Sequence, residues 1–233
     1  MVWEGTTPFP SRSLEGFTHI LVTIPPDETG DVVLRHVAPF NKSLKWVGYL
    51  SATSVYGDHQ GAWVSETSPL KPISPRGRQR HFAETQWLKR ISQDPSFPFH
   101  IFRLSGIYGP QRSPLEAIRS ETAQRLDKPG HVFSRIHIED IVSVLKASMA
   151  APQPGEIYNL SDDEPAATAD VIAYGCGLLG KNVPPLIPFE EADISPGLRE
   201  FYAEHKKISN AKLKNALKID LVYPSYREGL LHC

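Results

Sequence analysis

Four short apolar runs, separated by helical patterns, constrain this chain more than any other feature of its sequence. They are "FTHILVTIPP" (17–26), "WVGYLSA" (46–52), "FHIFRLSGIYGP" (99–110) and "GEIYNLSD" (155–162). Runs of this length, bounded by Pro, Gly, Ser and Asp, read as buried strands. Between them, "DVVLRHVAPF" (31–40) has helical apolar spacing, and a helix is predicted from about Pro75 to Ile91. "SPLEAIRSETAQRL" (113–126) also reads as a helix, "HVFSRIHI" (131–138) as a strand and "EDIVSVLKASMA" (139–150) as a helix. Strands alternating with helices predict an α/β fold with a doubly wound parallel sheet. Such sheets bind ligands beyond the carboxyl ends of their strands. Here those ends are "TIPP", "SATSVYG", "LSGIYGP" and "NLSDDE".

The 233 residues suffice for one sizeable core, and 40% hydrophobic with 22% charged residues is an ordinary globular balance. A formal net charge of −1 argues for neither nucleic acid nor an acidic membrane surface as partner. The four tryptophans are scattered and form no stacking platform for bases. Cys176 and Cys233 lie too far apart in sequence to read as a metal or redox pair, and a reduced, cytoplasmic setting is the expectation. No apolar run reaches the ~18 residues of a membrane span. The opening "MVWEGTTPFP" lacks the regions of a signal peptide. A small-molecule substrate and a homodimer are the expected partners, with no metal.

Two local features test the reading. "GCGLLG" (175–180) fits the dinucleotide fingerprint G-x-G-x-x-G, but that fingerprint works as a turn between a strand and a helix. Here "TADVIAYGCGLLG" (168–180) places the glycines in a helix's last turns, with Gly180 as its stop and Gly175 and Gly177 allowing close packing. The second feature is "SPRGRQRHFAE" (74–84). Ser74 is a good N-cap and Pro75 a good first residue, yet Arg76, Arg78 and Arg80 occupy a helix start whose dipole favours acids. Arg76 and Arg80, four apart, share one face and form a candidate anion site. The alternative is a solvated surface, with Arg80 and Glu84 as an i,i+4 pair.

Five stretches in order, "YLSATSVYGD", "SPRGRQRHFAE", "FRLSGIYGP", "SRIHIEDI" and "KKISNAKLKNAL…YPSYREGL", resemble the extended short-chain dehydrogenase/reductase superfamily in its NAD-dependent epimerase/dehydratase branch. The resemblance runs from about Thr18 to the end. It implies a Rossmann-like sheet over residues 1–112 and a small substrate-side α/β portion over 113–233, with 131–160 returning to the sheet and the whole one structural unit. It further implies an NAD- or NADP-binding oxidoreductase or epimerase/dehydratase acting on a small polar substrate, such as a sugar or nucleotide-sugar. Thr23, Ile24 and Pro25 would then lie along the cofactor, Leu104 and Ile107 would flank the nicotinamide, and Gly106 and Arg135 would face substrate.

Two departures from the pattern matter. The family's glycine-rich opening turn and two strand–helix units, roughly 60 residues at about 30 per unit, have no counterpart ahead of "FTHILVTI". A truncated reading frame and a protein that has discarded dinucleotide binding both fit that departure. Second, the family's Ser/Thr and Tyr-x-x-x-Lys positions map to Ala52, Arg76 and Arg80. An arginine stays charged and offers no acceptor, so it cannot relay a proton as the phenol does. Arg80 can still hold a nicotinamide ribose. Ser51, with Thr53 and Ser54 nearby, is the candidate substitute hydroxyl, and Tyr56 the candidate replacement acid. The alternative function is a non-catalytic anion- or partner-binding module. His137 and Asp140 are read as braces of the sheet end, and Asp162, Asp163 and Glu164 as a solvated acidic loop.

Overall fold

The computed structural model describes residues 7, 9, 14–37, 40 and 42–233. Its centre is a four-stranded parallel sheet of β1 (His19–Val22), β2 (Trp46–Ala52), β4 (Phe99–Leu104) and β8 (Ile157–Leu160), in the order β1-β2-β4-β8. Between these strands the chain forms α1 (Val32–Val37), a short pairing strand β3 (Trp63–Val64) and α2 (Pro75–Gln93). It then forms β5 (Gly106–Tyr108), α3 (Pro114–Arg119), β6 (Arg125–Asp127), β7 (Arg135–His137) and α4 (Ile138–Ala150). After β8 come α5 (Thr168–Leu178), β9 (Leu186–Pro188), α6 (Pro196–Phe201), β10 (Lys207–Ile208), α7 (Ala211–Leu217) and α8 (Tyr226–Leu230).

Side chains alternate across a strand, so β2 and β4 feed two cores. On one face Val47, Tyr49, Phe99 and Ile101 pack with Val33, Ala83 and Trp87 of α1 and α2. On the other, Trp46, Phe102 and Leu104 pack with Ile141, Val144 and Leu145 of α4 and Leu213 of α7. Every residue of β4 is buried, as expected for a central strand covered on both faces. The fold is thus the α/β, Rossmann-like parallel sheet that the strand–helix alternation indicates.

Three smaller parallel pairs, β5–β7, β6–β9 and β3–β10, lie outside this sheet. Two of them correct the sequence reading. The helix expected over 113–126 stops at Arg119, Glu121 takes a positive φ of 58°, and β6 follows. Arg125 then donates to the carbonyls of Ala169 and Pro184, which holds the strand beside β9. The strand expected over 131–138 is regular only at Arg135–His137. The glycines of "GCGLLG" do end a helix, with Gly180 at φ +61°. Gly175 packs closely there, because a Cβ would stand 2.7 Å from the tip of Ile118 of α3, whereas Gly177 faces open space.

Two elements meet the carboxyl end of the sheet. The residues after β2, Thr53–Tyr56, form a 3-10 turn, and the N-terminus of α2 seats on it. A Cβ on Gly77 would lie 2.7 Å from the Ser54 carbonyl oxygen. Gly77→Ala should therefore displace the helix start and lower stability by more than the Gly-to-Ala propensity gain of about 1 kcal/mol restores. Chemical denaturation of the variant against wild type checks this.

Candidate functional site

Three neighbouring strands each carry a polar residue one position before their last residue: Ser51, Arg103 and Asn159. The register sets Ser51 against Arg103 and Arg103 against Asn159, forming a polar row across the sheet's carboxyl end. Arg103 is 2% exposed and Glu84 of α2 is 1% exposed. Arg103 Nη2 donates to Glu84 Oε2 at 2.7 Å and its Nε to Glu84 Oε1 at 3.1 Å, a forked ion pair. Ser51 Oγ donates to Glu84 Oε1 at 2.6 Å. On the other side, Arg103 Nη1 donates at 2.9 Å to the hydroxyl of Tyr56, which donates at 2.7 Å to Asn159 Oδ1. Burial pushes the Tyr56 phenol up, against the pull of Arg103.

Two expected site residues, Ser51 and Tyr56, are thus placed in a buried network with their hydroxyls taken. Arg80 is half-buried, but it does not pair with Glu84. Its Nη1 donates to the Leu50 carbonyl at 2.6 Å and to the Tyr49 hydroxyl at 3.3 Å. The i,i+4 explanation fails because Glu84 turns inward to Arg103. Arg76 is exposed and makes no hydrogen bond or ion pair among the described residues, while Arg78 donates to the Ile73 carbonyl. Arg76 and Arg80 therefore do not converge on one point. Thr23 and Pro25, beyond β1, are exposed and Ile24 is half-buried. Leu104 is buried in the core.

A concavity lies to one side, where β5 and β7 meet α3, α5 and α8. It encloses about 420 Å³, and Gly106, Ile107, Arg112, Phe133, Arg135 and Thr168 contribute to its walls. Three of the expected cofactor and substrate residues, Gly106, Ile107 and Arg135, are thus brought together. Gly106 pairs with Arg135 across β5–β7. The Arg135 guanidinium is fixed by Nη1 donating at 2.9 Å to the carbonyls of both Phe133 and Ala166, and burial pushes its pKa down. Phe201 of α6, half exposed, stacks on Phe133 at 4.5 Å. Sequence reasoning missed Arg112, Phe133, Thr168 and Phe201, although Phe133 directly precedes "SRIHIEDI" and Arg112 lies two residues after "FRLSGIYGP".

The acidic loop is solvated only at Asp163 and Glu164, and both are paired. Asp163 receives Lys214 at 2.6 Å and Glu164 pairs with Arg227 at 3.1 Å. Asp162 is 1% exposed, with both carboxylate oxygens lacking a hydrogen-bond partner. Burial, opposed by Arg135, pushes it up to about 8. Asp140 is buried and accepts the Val222 and Tyr223 amides at 2.7 and 3.0 Å, while His137 caps α4 by accepting the Glu139 amide. Both tie β7 and α4 in place. Among the described residues no group of three His, Cys, Asp or Glu could hold a metal, and no helix is long and apolar enough to cross a membrane.

This geometry has known counterparts. The model of the NAD dependent epimerase/dehydratase family matches residues 32–161, and the chain belongs to that family. Protein YeeZ of Escherichia coli K12 is 36% identical over 112 residues, 48% of this chain and 38% of YeeZ. The dTDP-D-glucose 4,6-dehydratase of Mus musculus is 27% identical over 120 residues, covering 48% of this chain and 34% of that enzyme. The matched stretch thus spans little more than a third of these relatives. A functionally unknown conserved protein from Silicibacter pomeroyi superposes with a TM-score of 0.90 at 48% identity, over 99% of this chain and 80% of that one. UDP-glucuronic acid 4-epimerase from Bacillus cereus, in complex with NAD, shares the fold at a TM-score of 0.74 and 17% identity, over 95% and 74% of the two chains.

Two outcomes follow. Arg103→Leu leaves the Glu84 carboxylate buried without its cation and should cost about 3–5 kcal/mol, and adding Glu84→Leu should recover a large part of it. Urea unfolding of the single and double variants measures both. For Asp162, the folded pKa near 8 lies above an unfolded value near 3.9. The unfolded chain therefore loses this proton first as pH rises, and the group's contribution to stability falls between about pH 4 and pH 8. Asp162→Asn should remove that slope, read as the difference between wild-type and variant melting across this window.

Proposed function

We propose that the protein is an NAD(P)-binding, oxidoreductase- or epimerase/dehydratase-like protein that holds a small polar substrate, of the sugar or nucleotide-sugar kind, in the 420 Å³ cavity. The observation that carries this reading is Arg135. Two carbonyls fix one arm of its guanidinium, so the donors that remain are pre-oriented at the cavity wall and suit a phosphate or carboxylate. A pre-ordered guanidinium loses little further side-chain freedom when an anion arrives.

Thr23, Ile24 and Pro25 are the residues that would run along NAD or NADP, with Ile107 on the nicotinamide side and Arg80 toward its ribose. The exposed strip at Thr23 and Pro25 suits such a ligand. Among the described residues, however, no glycine-rich strand-to-helix turn offers amides to the pyrophosphate. The bound cofactor supplies a hydride acceptor, and this chain's part is to bind and orient substrate. Two free cysteines, one of them buried, agree with a reducing cytoplasmic setting.

A second reading, a non-catalytic binding module, is favoured by one specific observation. The groups standing at the family's proton-relay positions are Ala52, an exposed Arg76 and an Arg80 tied to the Leu50 carbonyl, and the Tyr56 hydroxyl is already spent. None of them passes a proton at neutral pH.

Calorimetric titration of the 233-residue chain with NADH, NADPH and a UDP-sugar, followed by a turnover assay, separates the two. Binding with turnover that Arg80→Ala abolishes supports the enzyme. Binding without turnover, with activity appearing in the double variant Ala52→Ser/Arg76→Tyr, supports the module. In either case Arg135→Leu should weaken the UDP-sugar about tenfold while leaving NADH unchanged. Equal UDP-sugar affinity in Arg135→Leu would remove the cavity from the proposal.

A further inference from the structure

Arg135, on the wall of the 420 Å³ cavity, has no carboxylate partner among the described residues. Its guanidinium donates instead to the carbonyls of Phe133 and Ala166, both at 2.9 Å, and to the Thr168 hydroxyl at 3.5 Å. Beside it in the backbone stands a residue with the opposite deficit. The amide of Asp162, in the loop between β8 and α5, donates to the Arg135 carbonyl at 2.6 Å. The Asp162 side chain is 1% exposed, and neither carboxylate oxygen has a hydrogen-bond partner. The Arg135 and Glu164 amides approach it without completing a bond. Buried charges are ordinarily paired, yet this cation and this carboxyl, one backbone hydrogen bond apart, form no ion pair.

The surroundings leave Arg135 as the cation that acts on Asp162. Asp163, facing it from the same loop, is held by Lys214 and Asn210, and Glu164 by Arg227. From β5, Tyr108 faces Asp162 with its hydroxyl donating to the Ser225 carbonyl at 3.2 Å. Asp140 and Cys233 act in turn on Tyr108, and burial pushes its phenol up, so it stays neutral. Burial likewise holds Asp162 up at about 8 against the pull of Arg135, so at neutral pH the carboxyl carries its proton. Once that proton leaves, the new carboxylate has one cation to turn to.

With the cavity read as the substrate site, we infer that Asp162 is a positioning residue that gates Arg135: its carboxyl must be protonated for an anionic substrate to bind. Substrate and carboxylate compete for one guanidinium, so anion binding is coupled to a proton. Below about pH 7 the charge of Arg135 is free for the ligand, and above about pH 8 the carboxylate takes it. A bound anion raises the Asp162 pKa further, so binding on the alkaline side draws a proton from solution. A neutral ligand shows no such dependence.

Calorimetric titration of the full chain with UDP-glucose, at about pH 6.5 and about pH 8.5 in buffers of differing ionisation enthalpy, tests the coupling. Wild type should bind about fourfold more weakly at the higher pH and take up a fraction of a proton there. Asp162→Asn, which keeps the shape of the side chain, should bind with one affinity at both pH values and take up none. Arg135→Leu, weaker throughout, should lose the pH dependence as well. Thermal melts confirm that the variants fold, and if Asp162→Asn does not, proton uptake by wild type and its loss in Arg135→Leu decide. Equal wild-type affinity at both pH values without proton uptake, or an unchanged dependence in Asp162→Asn, overturns the gating alone, provided Arg135→Leu still weakens UDP-glucose. Affinity that Arg135→Leu leaves unchanged, or no binding at either pH, overturns the cavity reading and the gating with it.

Discussion

The buried Arg103–Glu84 ion pair is the interaction on which the arrangement of the site end depends. Through Glu84 it docks α2 against the sheet, and through Ser51 it holds the end of β2. Through Tyr56 it fixes the 3-10 turn to β8, because Tyr56 donates to Asn159 while Asn159 Nδ2 donates to the Ser209 carbonyl. A charge this deep is tolerable only when its lone pairs and protons are matched, and here the guanidinium and carboxylate are met on both sides. Its contribution is as much to register as to stability, since a one-residue slip of β4 would carry Arg103 to the other face of the sheet.

That network also occupies the candidate groups at this end of the sheet. Ser51 donates to Glu84, Tyr56 satisfies Arg103, and Arg80 holds a strand carbonyl. The proposed substrate binding lies instead on the β5–β7 side, where two carbonyls fix Arg135. Asp162, buried and held near 8, is uncharged at neutral pH and leaves the guanidinium's charge unneutralised. A neutral carboxyl next to a fixed cation favours an incoming anion over a permanent internal salt bridge.

The sheet was legible in the sequence because its strands are unambiguous. β2 occupies Trp46–Ala52, the run read from the sequence, and α2 extends only two residues past Ile91. Ser74 caps α2 where expected, its Oγ accepting from the Gly77 amide. The substrate side was less legible. Elements of three residues such as β6, β7 and β9 carry no periodicity; β6 is held beside β9 by Arg125 gripping carbonyls 44 and 59 positions away, and β7 by its pairing with β5.

Local sequence by itself determined the α/β class and the helix starts at Ser74 and Thr168, because each is written in residue identity and short spacing. Tertiary structure alone decided what those residues touch. Glu84, four positions from Arg80 on α2, joins Arg103 of β4 because a buried guanidinium has greater need of a carboxylate than a half-solvated one does. Asp162 is silent and Asp163 paired for a similar reason: the backbone turns one carboxylate into the protein and its neighbour toward Lys214.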